Sequence, residues 1–129
     1  MIKNKNIAHR ASLSLNFWVI YWLPPLLCAV FIFLASSLPG EDIPSLFPFQ
    51  DIFFHAIEYI VFAFFLSRAI KKSRPGLAYS RRLAWAVFLA VFYAVLDEFH
   101  QSFIPGRTAS GLDVLIDTAA GIIGGVLYR

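Results

Sequence analysis

The sequence carries little charge for its length. Asp, Glu, Lys and Arg make up 15% of the 129 residues, whereas hydrophobic residues make up 59% and aromatic residues 17%. A soluble domain of this length needs more charge on its exposed surface, so the composition excludes an ordinary soluble domain and indicates a protein whose solvent is lipid. The length fits one domain, residues 1–129.

Cysteine and histidine are also scarce. Cys28 is the only cysteine, so the chain has no partner for an intrachain disulfide. The three histidines form no H-E-x-x-H pair or other fixed metal-ligand spacing, and we therefore expect no metal and no cofactor. No segment resembles a base-reading module, which excludes nucleic acid as an expected partner.

The sequence contains four long apolar segments. A bilayer crossing takes about 20 residues, and the segments predict an all-α, four-helix transmembrane bundle. The predicted crossings are residues 17–35, 51–69, 83–103 and 110–128. The first segment could also be a signal peptide, since Ala35 and Ser37 resemble a cleavage site, but its length favours an uncleaved anchor. Pro24-Pro25 should bend it near its start.

The two signs of charge occupy different parts of the chain. Ten of the eleven Lys and Arg residues precede the first crossing, flank the loop between the second and third crossings, or end the chain. All eight acids lie in or near the connections on the other side of the predicted crossings. The positive-inside rule then predicts cytoplasmic N- and C-termini, and it places the acids at the outer end of the helices.

Helical periodicity gathers the polar residues of the crossings on shared faces. At about 100° per residue, Asp51, His55 and Glu58 share one face of the second helix. Acids inside a membrane must pair, protonate or line a wet cavity, so we predict a polar pocket open to the outer side. The candidate ligand-binding residues are Asp51, His55, Glu58, Tyr59, Asp97, Glu98, Gln101, Arg107, Asp113 and Asp117.

Simpler roles stay open for several of these residues. Asp51 could cap the second helix, and Ser110 with Asp113 fits the capping-box pattern. Pro105-Gly106 predicts a type II turn. Arg107 after it could clamp a ligand, pair with an acid or reach toward lipid phosphates. The buried acids could form a purely structural hydrogen-bond network.

The spacing of these residues resembles the VanZ-like family. The resemblance rests on Asp51-x3-His55-x2-Glu58-Tyr59, on the D-E-x-x-Q-x-x-x-P-G-R core of residues 97–107, and on Asp113-x3-Asp117. Asp117 departs from the pattern, since the family more often carries Asn there. The resemblance implies a multi-pass protein of the bacterial inner membrane, in a family named for glycopeptide resistance whose founding member gives low-level teicoplanin resistance.

Two functions are compatible with such a site. The first is binding of a lipid-linked or amphiphilic envelope ligand, such as a lipid-linked cell-wall precursor or a lipoglycopeptide, beside membrane lipid, with Arg107 holding an anionic group. The second is an intramembrane enzyme that acts on a lipid-linked substrate by acid-base chemistry. Its candidate catalytic residues are His55, Glu58, Asp97, Glu98 and His100. The sequence leaves the oligomeric state open.

Overall fold

The structure, a computed structural model, describes residues 15–129. Within that range the chain forms five α-helices and one short 3-10 turn, and no β-strand. The helices are α1 (Leu15–Tyr21), α2 (Leu23–Ser36), α3 (Gln50–Ser73), α4 (Tyr79–Gln101) and α5 (Gly111–Leu127), with the 3-10 turn at Gly40–Asp42. The all-α prediction is confirmed. Lys3, Lys5 and Arg10, which contribute to the predicted topology, lie outside the described residues.

The first apolar segment is bent where its prolines predict. α1 and α2 meet at Trp22 with an angle of 47° between them. Pro24 and Pro25 occupy the first turn of α2, where a missing backbone N–H is tolerated because the first N–H groups of a helix have no acceptor within that helix. The indole Nε1 of Trp22 donates to Ser73 Oγ at 2.9 Å, which ties the bend to the end of α3.

Two helices have the length and apolar composition of membrane spans. They are α3 with 24 residues and α4 with 23, and the bent α1–α2 pair adds a third if it forms one span. α5 has 17 residues and is therefore about 26 Å long at 1.5 Å per residue. The outer surface suits lipid, because Phe31, Phe88 and Leu115 are 62%, 57% and 66% exposed.

The loop between α3 and α4 is shorter than the predicted residues 70–82. α3 continues to Ser73, and α4 already begins at Tyr79. Charge keeps Lys71, Lys72 and Arg81 out of lipid, but it does not prevent them from being helical, and lysine and arginine are good helix formers. The ends of α3 and α4 therefore extend beyond the residues predicted to lie in the membrane.

Small residues bring the helices close together. Ala86, Ala90 and Ala94 recur every four residues along α4 and are fully buried. α3 and α5 form the most extensive helix pair, and a methyl group on Gly124 would overlap the backbone carbonyl of Ile60. Glycine at this position is what allows the two backbones to approach, as small residues do at helix–helix interfaces in membranes.

The basic residues converge at one end of the helices. Lys71 Nζ donates to the carbonyl of Arg129 at 3.1 Å, and Arg82 Nη2 donates to that of Tyr128 at 3.2 Å. Arg68 Nη1 donates to the carbonyl of Ile20 at 2.9 Å. The α3–α4 loop, the C-terminus and α1 thus share an end, and the polar residues of the candidate site lie at the other.

Replacement of Gly124 tests this packing. We expect Gly124→Ala to lower the melting temperature in detergent, since the methyl group must displace backbone, at a cost of about 1–3 kcal/mol. Gly76→Ala is the matched control, because nothing lies within 4 Å of a methyl group there. Equal melting temperatures for the two variants would contradict the close α3–α5 approach.

Candidate functional site

The loop after α2 is joined to the turn between α4 and α5. The Arg107 N–H donates to Ile104 O at 3.1 Å, and Gly106 has a φ of 73°, which confirms the predicted type II turn. The Gly40 N–H donates to Pro105 O at 3.0 Å. A methyl group on Gly40 would overlap the Gly106 carbonyl, so this junction requires glycine.

A polar cavity of about 370 Å³ lies beside this junction. Its walls come from the α2–α3 loop, the first turns of α3, the end of α4, the turn and the start of α5. The polar side chains that line it are Ser45, Gln50, Asp51, His55, Gln101, Arg107, Thr108 and Asp113. Five of the predicted residues therefore share one cavity, whereas Ser45, Gln50 and Thr108 were not predicted.

Gln50 shapes the loop that lines the cavity. Its Nε2 donates to Pro44 O at 2.9 Å, and its Oε1 accepts from the Leu46 N–H at 2.6 Å. α3 begins at Gln50, with Phe49 as the N-cap at a φ of 61°. Asp51 is therefore not the N-cap, which was the alternative role left open for it; it lies in the first turn of α3 and lines the cavity. The sequence feature that could have identified Gln50 is its position directly after a proline-containing loop, where a side-chain amide can bond to the backbone.

His55 and Asp117 form the ion-pair contact between α3 and α5. The Nδ1 atom of His55 lies 3.2 Å from Asp117 Oδ1 and 3.4 Å from Oδ2. The Asp117 side chain is fully buried and that of His55 is 9% exposed. A carboxylate in this position fixes the imidazole ring and favours a proton on Nδ1, so that in the neutral ring Nε2 carries the lone pair.

A second network joins α2 to α4. Ser36 Oγ donates to Asp97 Oδ2 at 2.8 Å, and Gln101 Nε2 donates to the same oxygen at 2.9 Å. All three residues are buried. Asp97 and Gln101 were predicted from their spacing of four residues, but Ser36 was not assigned to the site. Its position one turn before the Pro39-Gly40 loop was the only signal for it.

Glu98 connects α4 to the start of α5. Its Oε2 accepts from the backbone N–H of Ser110 at 2.6 Å, while Ser110 Oγ accepts from the Leu112 N–H at 3.2 Å. Ser110 is thus the predicted N-cap, but Glu98 takes the reciprocal role that the capping-box pattern gave to Asp113. Within the described residues, the buried Oε1 of Glu98 has no hydrogen-bond partner.

The candidate acids do not form one cluster. A ring nitrogen of His55 and carboxylate oxygens of Glu98 and Asp113 lie within 4.8 Å of one another. His100 belongs elsewhere, since its Nε2 lies 2.9 Å from Ser37 Oγ and its ring stacks on Phe33 with a centroid distance of 4.6 Å. His100 is therefore held by contacts other than those of the group around His55.

Glu58 and Tyr59 are placed differently although they are neighbours. Glu58 lines a smaller cavity of about 150 Å³ together with Asp51, His55 and Arg107, and it also borders an apolar groove between α2 and α3. Tyr59 is fully buried against the alanine-rich core. In the described part of the chain its hydroxyl has no hydrogen-bond partner.

Among the described residues, Arg107 forms no ion pair with a neighbouring acid. Its side chain borders both the larger and the smaller cavity. Among residues 15–129, its guanidinium has no carboxylate within 4.0 Å and no side-chain hydrogen bond. The structure therefore does not contain the ion pair with Asp97, Glu98 or Asp113 that the sequence allowed.

Apolar helices of spanning length with a polar cavity at one end define a small all-helical protein of the membrane class. The family profile described as VanZ/LLP1 matches residues 17–129. The chain belongs to this family, which confirms the resemblance drawn from the spacing of its polar residues. No curated protein and no solved structure matches the chain significantly.

Loss of the Ser36 hydroxyl tests the network around Asp97. Ser36→Ala removes one donor from a buried carboxylate, and we expect the free energy of unfolding to fall by about 1–3 kcal/mol. Ser102→Ala serves as the control, since its exposed hydroxyl donates only to the carbonyl of Phe99 within the last turn of its own helix. Urea or thermal unfolding in detergent measures both. A network that contributes nothing would leave Ser36→Ala as stable as Ser102→Ala.

Proposed function

We propose that this protein crosses the bacterial inner membrane four times and binds a lipid-linked or amphiphilic envelope ligand in an outward-facing polar pocket. Arg107 carries the proposal, because an unpaired guanidinium beside a polar cavity of about 370 Å³ is suited to an anionic head group. Planar guanidinium groups hold phosphate and carboxylate through paired hydrogen bonds. The amide of Gln101 and the carboxylate of Asp51 line the same cavity and would read hydroxyl and amide groups.

An apolar groove next to the polar cavities supports an amphiphile over a soluble solute. The groove has a volume of about 300 Å³, and its lining includes Leu27, Phe31, Ile57 and Val61. Glu58 borders this groove and also the smaller cavity, which Arg107 lines as well. An acyl chain between α2 and α3 would therefore lie next to a head group held at Arg107. Each buried methylene of such a chain contributes about 0.8 kcal/mol.

The four-crossing topology is part of the same proposal. α5 is the shortest of the long helices, but about 26 Å is sufficient for a crossing near the lower limit of about 17 residues. Both termini would then be cytoplasmic, and the α2–α3 loop would face outward. The gathering of Lys71, Arg82 and Arg129 at one end supports this orientation.

Cysteine labelling on intact cells tests the orientation. In a Cys28→Ala background, Glu41→Cys should react with an impermeant thiol reagent and Gly76→Cys should not. Both positions are exposed, and Gly76 has open space around it. After the cells are lysed, both should react. Labelling of position 76 but not of position 41 on intact cells would invert the topology and put the cavity on the cytoplasmic side.

Arg107 variants test the head-group contact. The probes are dihexanoyl phosphatidate and its uncharged counterpart dihexanoylglycerol, titrated into purified protein. We expect wild-type protein to prefer phosphatidate and Arg107→Ala to lose about 10- to 150-fold in affinity for it, the equivalent of a charge-assisted hydrogen bond of about 1.5–3 kcal/mol. Arg107→Lys should recover little, because lysine lacks the two-pronged geometry.

The melting temperature supplies the control for these variants. Since Arg107 holds no carboxylate in the described structure, Arg107→Ala should melt as the wild type does. Unchanged phosphatidate affinity in Arg107→Ala would remove the head-group contact from the proposal. Full recovery of phosphatidate affinity in Arg107→Lys would show that the positive charge is sufficient and that paired hydrogen bonds from a guanidinium are not needed. Because the proposed ligands include lipoglycopeptides and lipid-linked cell-wall precursors, the proposal includes an influence on teicoplanin susceptibility. Susceptibility of cells that carry the same Arg107 variants would measure it.

A second candidate function is favoured by the contact between His55 and Asp117. A histidine whose Nδ1 is held by a buried carboxylate at 3.2 Å is suited to act as a general base through Nε2. The protein would then be an intramembrane enzyme acting on a lipid-linked substrate, with Arg107 stabilising developing negative charge. Incubation with lipid extracts separates the two functions, since a binding protein returns its ligand unchanged and an enzyme does not.

A further inference from the structure

His55, Glu98 and Asp113 come from three different helices and meet in a way that the proposed ligand does not require. One potential ligand atom from each residue lies within 4.8 Å of the other two. His55 is on α3, Glu98 is near the end of α4, and Asp113 is in the first turn of α5. No pair of these residues is close enough in sequence to form a helical ligand motif, so the fold alone assembles the group.

The free oxygen of Glu98 is the first sign of a missing partner. Glu98 is only 6% exposed, and its Oε2 already accepts from Ser110 N. In the described part of the chain, its Oε1 is buried and has no hydrogen-bond partner. A buried acceptor left in this state costs about 1–3 kcal/mol, and more if it is charged. A cation at this position would satisfy it.

The charge balance gives the same indication. Glu98 and Asp113 bring two carboxylates together, and within residues 15–129 neither has a Lys or Arg within 4.0 Å. His55 is already engaged by Asp117. Carboxylates at the edge of a membrane core pair, take up a proton, face water or bind a cation, and a cation would neutralise both of these at once. The nearby Arg107 does not provide it, since its guanidinium lies beyond ion-pair distance.

The contact with Asp117 is the arrangement that metal-bound histidines use. A histidine ligand is commonly held at its second ring nitrogen by a carboxylate, which fixes the ring and raises the basicity of the ligating nitrogen. Here Asp117 lies 3.2 Å from Nδ1 and is fully buried. Nε2 is then the nitrogen available to a metal ion.

We propose that His55, Glu98 and Asp113 bind a divalent transition-metal ion at the wall of the polar cavity. One imidazole and two carboxylates suit Zn²⁺ or Mn²⁺, whereas Mg²⁺ and Ca²⁺ prefer oxygen ligands alone. Zinc ligands at about 2.1 Å in a tetrahedron lie about 3.4 Å apart, which requires only a small closure of a group spread over 4.8 Å. Three protein ligands leave a coordination position open.

The open position gives the metal a role beside Arg107. His55 and Asp113 both line the cavity of about 370 Å³, so a water molecule or an oxygen of a bound anion can reach the ion from the cavity. The metal site depends only on the protein's own residues, and it stands whether or not the envelope ligand is a phosphate. It differs from the expectation of no metal that the missing H-E-x-x-H motif produced.

Metal loading of the full-length protein in detergent tests the site. Protein stripped with EDTA is dialysed against Zn²⁺ or Mn²⁺, and bound metal is measured by mass spectrometry after removal of free ions. We expect the wild type to hold about one equivalent and to melt at a higher temperature with the metal than without it. Glu98→Gln and Asp113→Asn should each weaken binding by about tenfold or more and abolish the rise in melting temperature.

Asp42→Asn is the control, because Asp42 is an exposed acid of the 3-10 turn that lies outside the proposed ligand group. It should bind metal as the wild type does. If Glu98→Gln does not fold, Asp113→Asn decides, since the half-buried Asp113 side chain has no hydrogen bond within the described residues. Wild-type protein without bound metal after loading, or full loading of the folded Glu98→Gln and Asp113→Asn variants, would overturn the proposal. Failure of phosphatidate binding alone leaves it intact.

Discussion

A carboxylate that is buried between helices in lipid must find its partners within the protein, and the outer end of this fold is built around that constraint. Asp97 is held by Ser36 and Gln101, and Asp117 by His55. The Ser36 contact joins α2 to α4 and the His55 contact joins α3 to α5, so the demand for partners also fixes how these two helix pairs meet. The cost of an unsatisfied buried charge, several kcal/mol in each case, makes these arrangements difficult to exchange.

Close helix packing and the polar end depend on each other. Glycine and alanine bring the backbones together, with Gly124 against Ile60 and Ala90 opposite Gly121. Only at such separations can short side chains like those of Asp117 and Ser36 reach across to a neighbouring helix. The junction of Gly40 with Gly106 then closes the end by joining the α2–α3 loop to the α4–α5 turn. The polar cavity lies beside this junction, with His55, Gln101 and Asp113 among its lining residues.

Local patterns in the sequence were sufficient for the helices, the proline bend, the type II turn and the face of each helix that carries the polar residues. They could not determine which acid pairs with which partner, because that depends on helix rotation and on loops far away in sequence. Glu98, and not Asp113, completes the cap of α5 for this reason. Gln50 was missed because its amide gains partners only when the preceding loop folds back on it. Ser36 was missed because its partner, Asp97, lies on a distant helix.

The carboxylate at position 117 gains a chemical meaning from this geometry. An asparagine there could also accept a hydrogen bond from Nδ1 of His55. Only a carboxylate also adds charge behind the imidazole, which strengthens its Nε2 both as a base and as a metal ligand. Asp117 is fully buried and contacts no cation but His55 among the described residues. Its charge therefore acts through His55. A chain with Asn at position 117 would keep the hydrogen bond, but its His55 would be a weaker base and a weaker metal ligand.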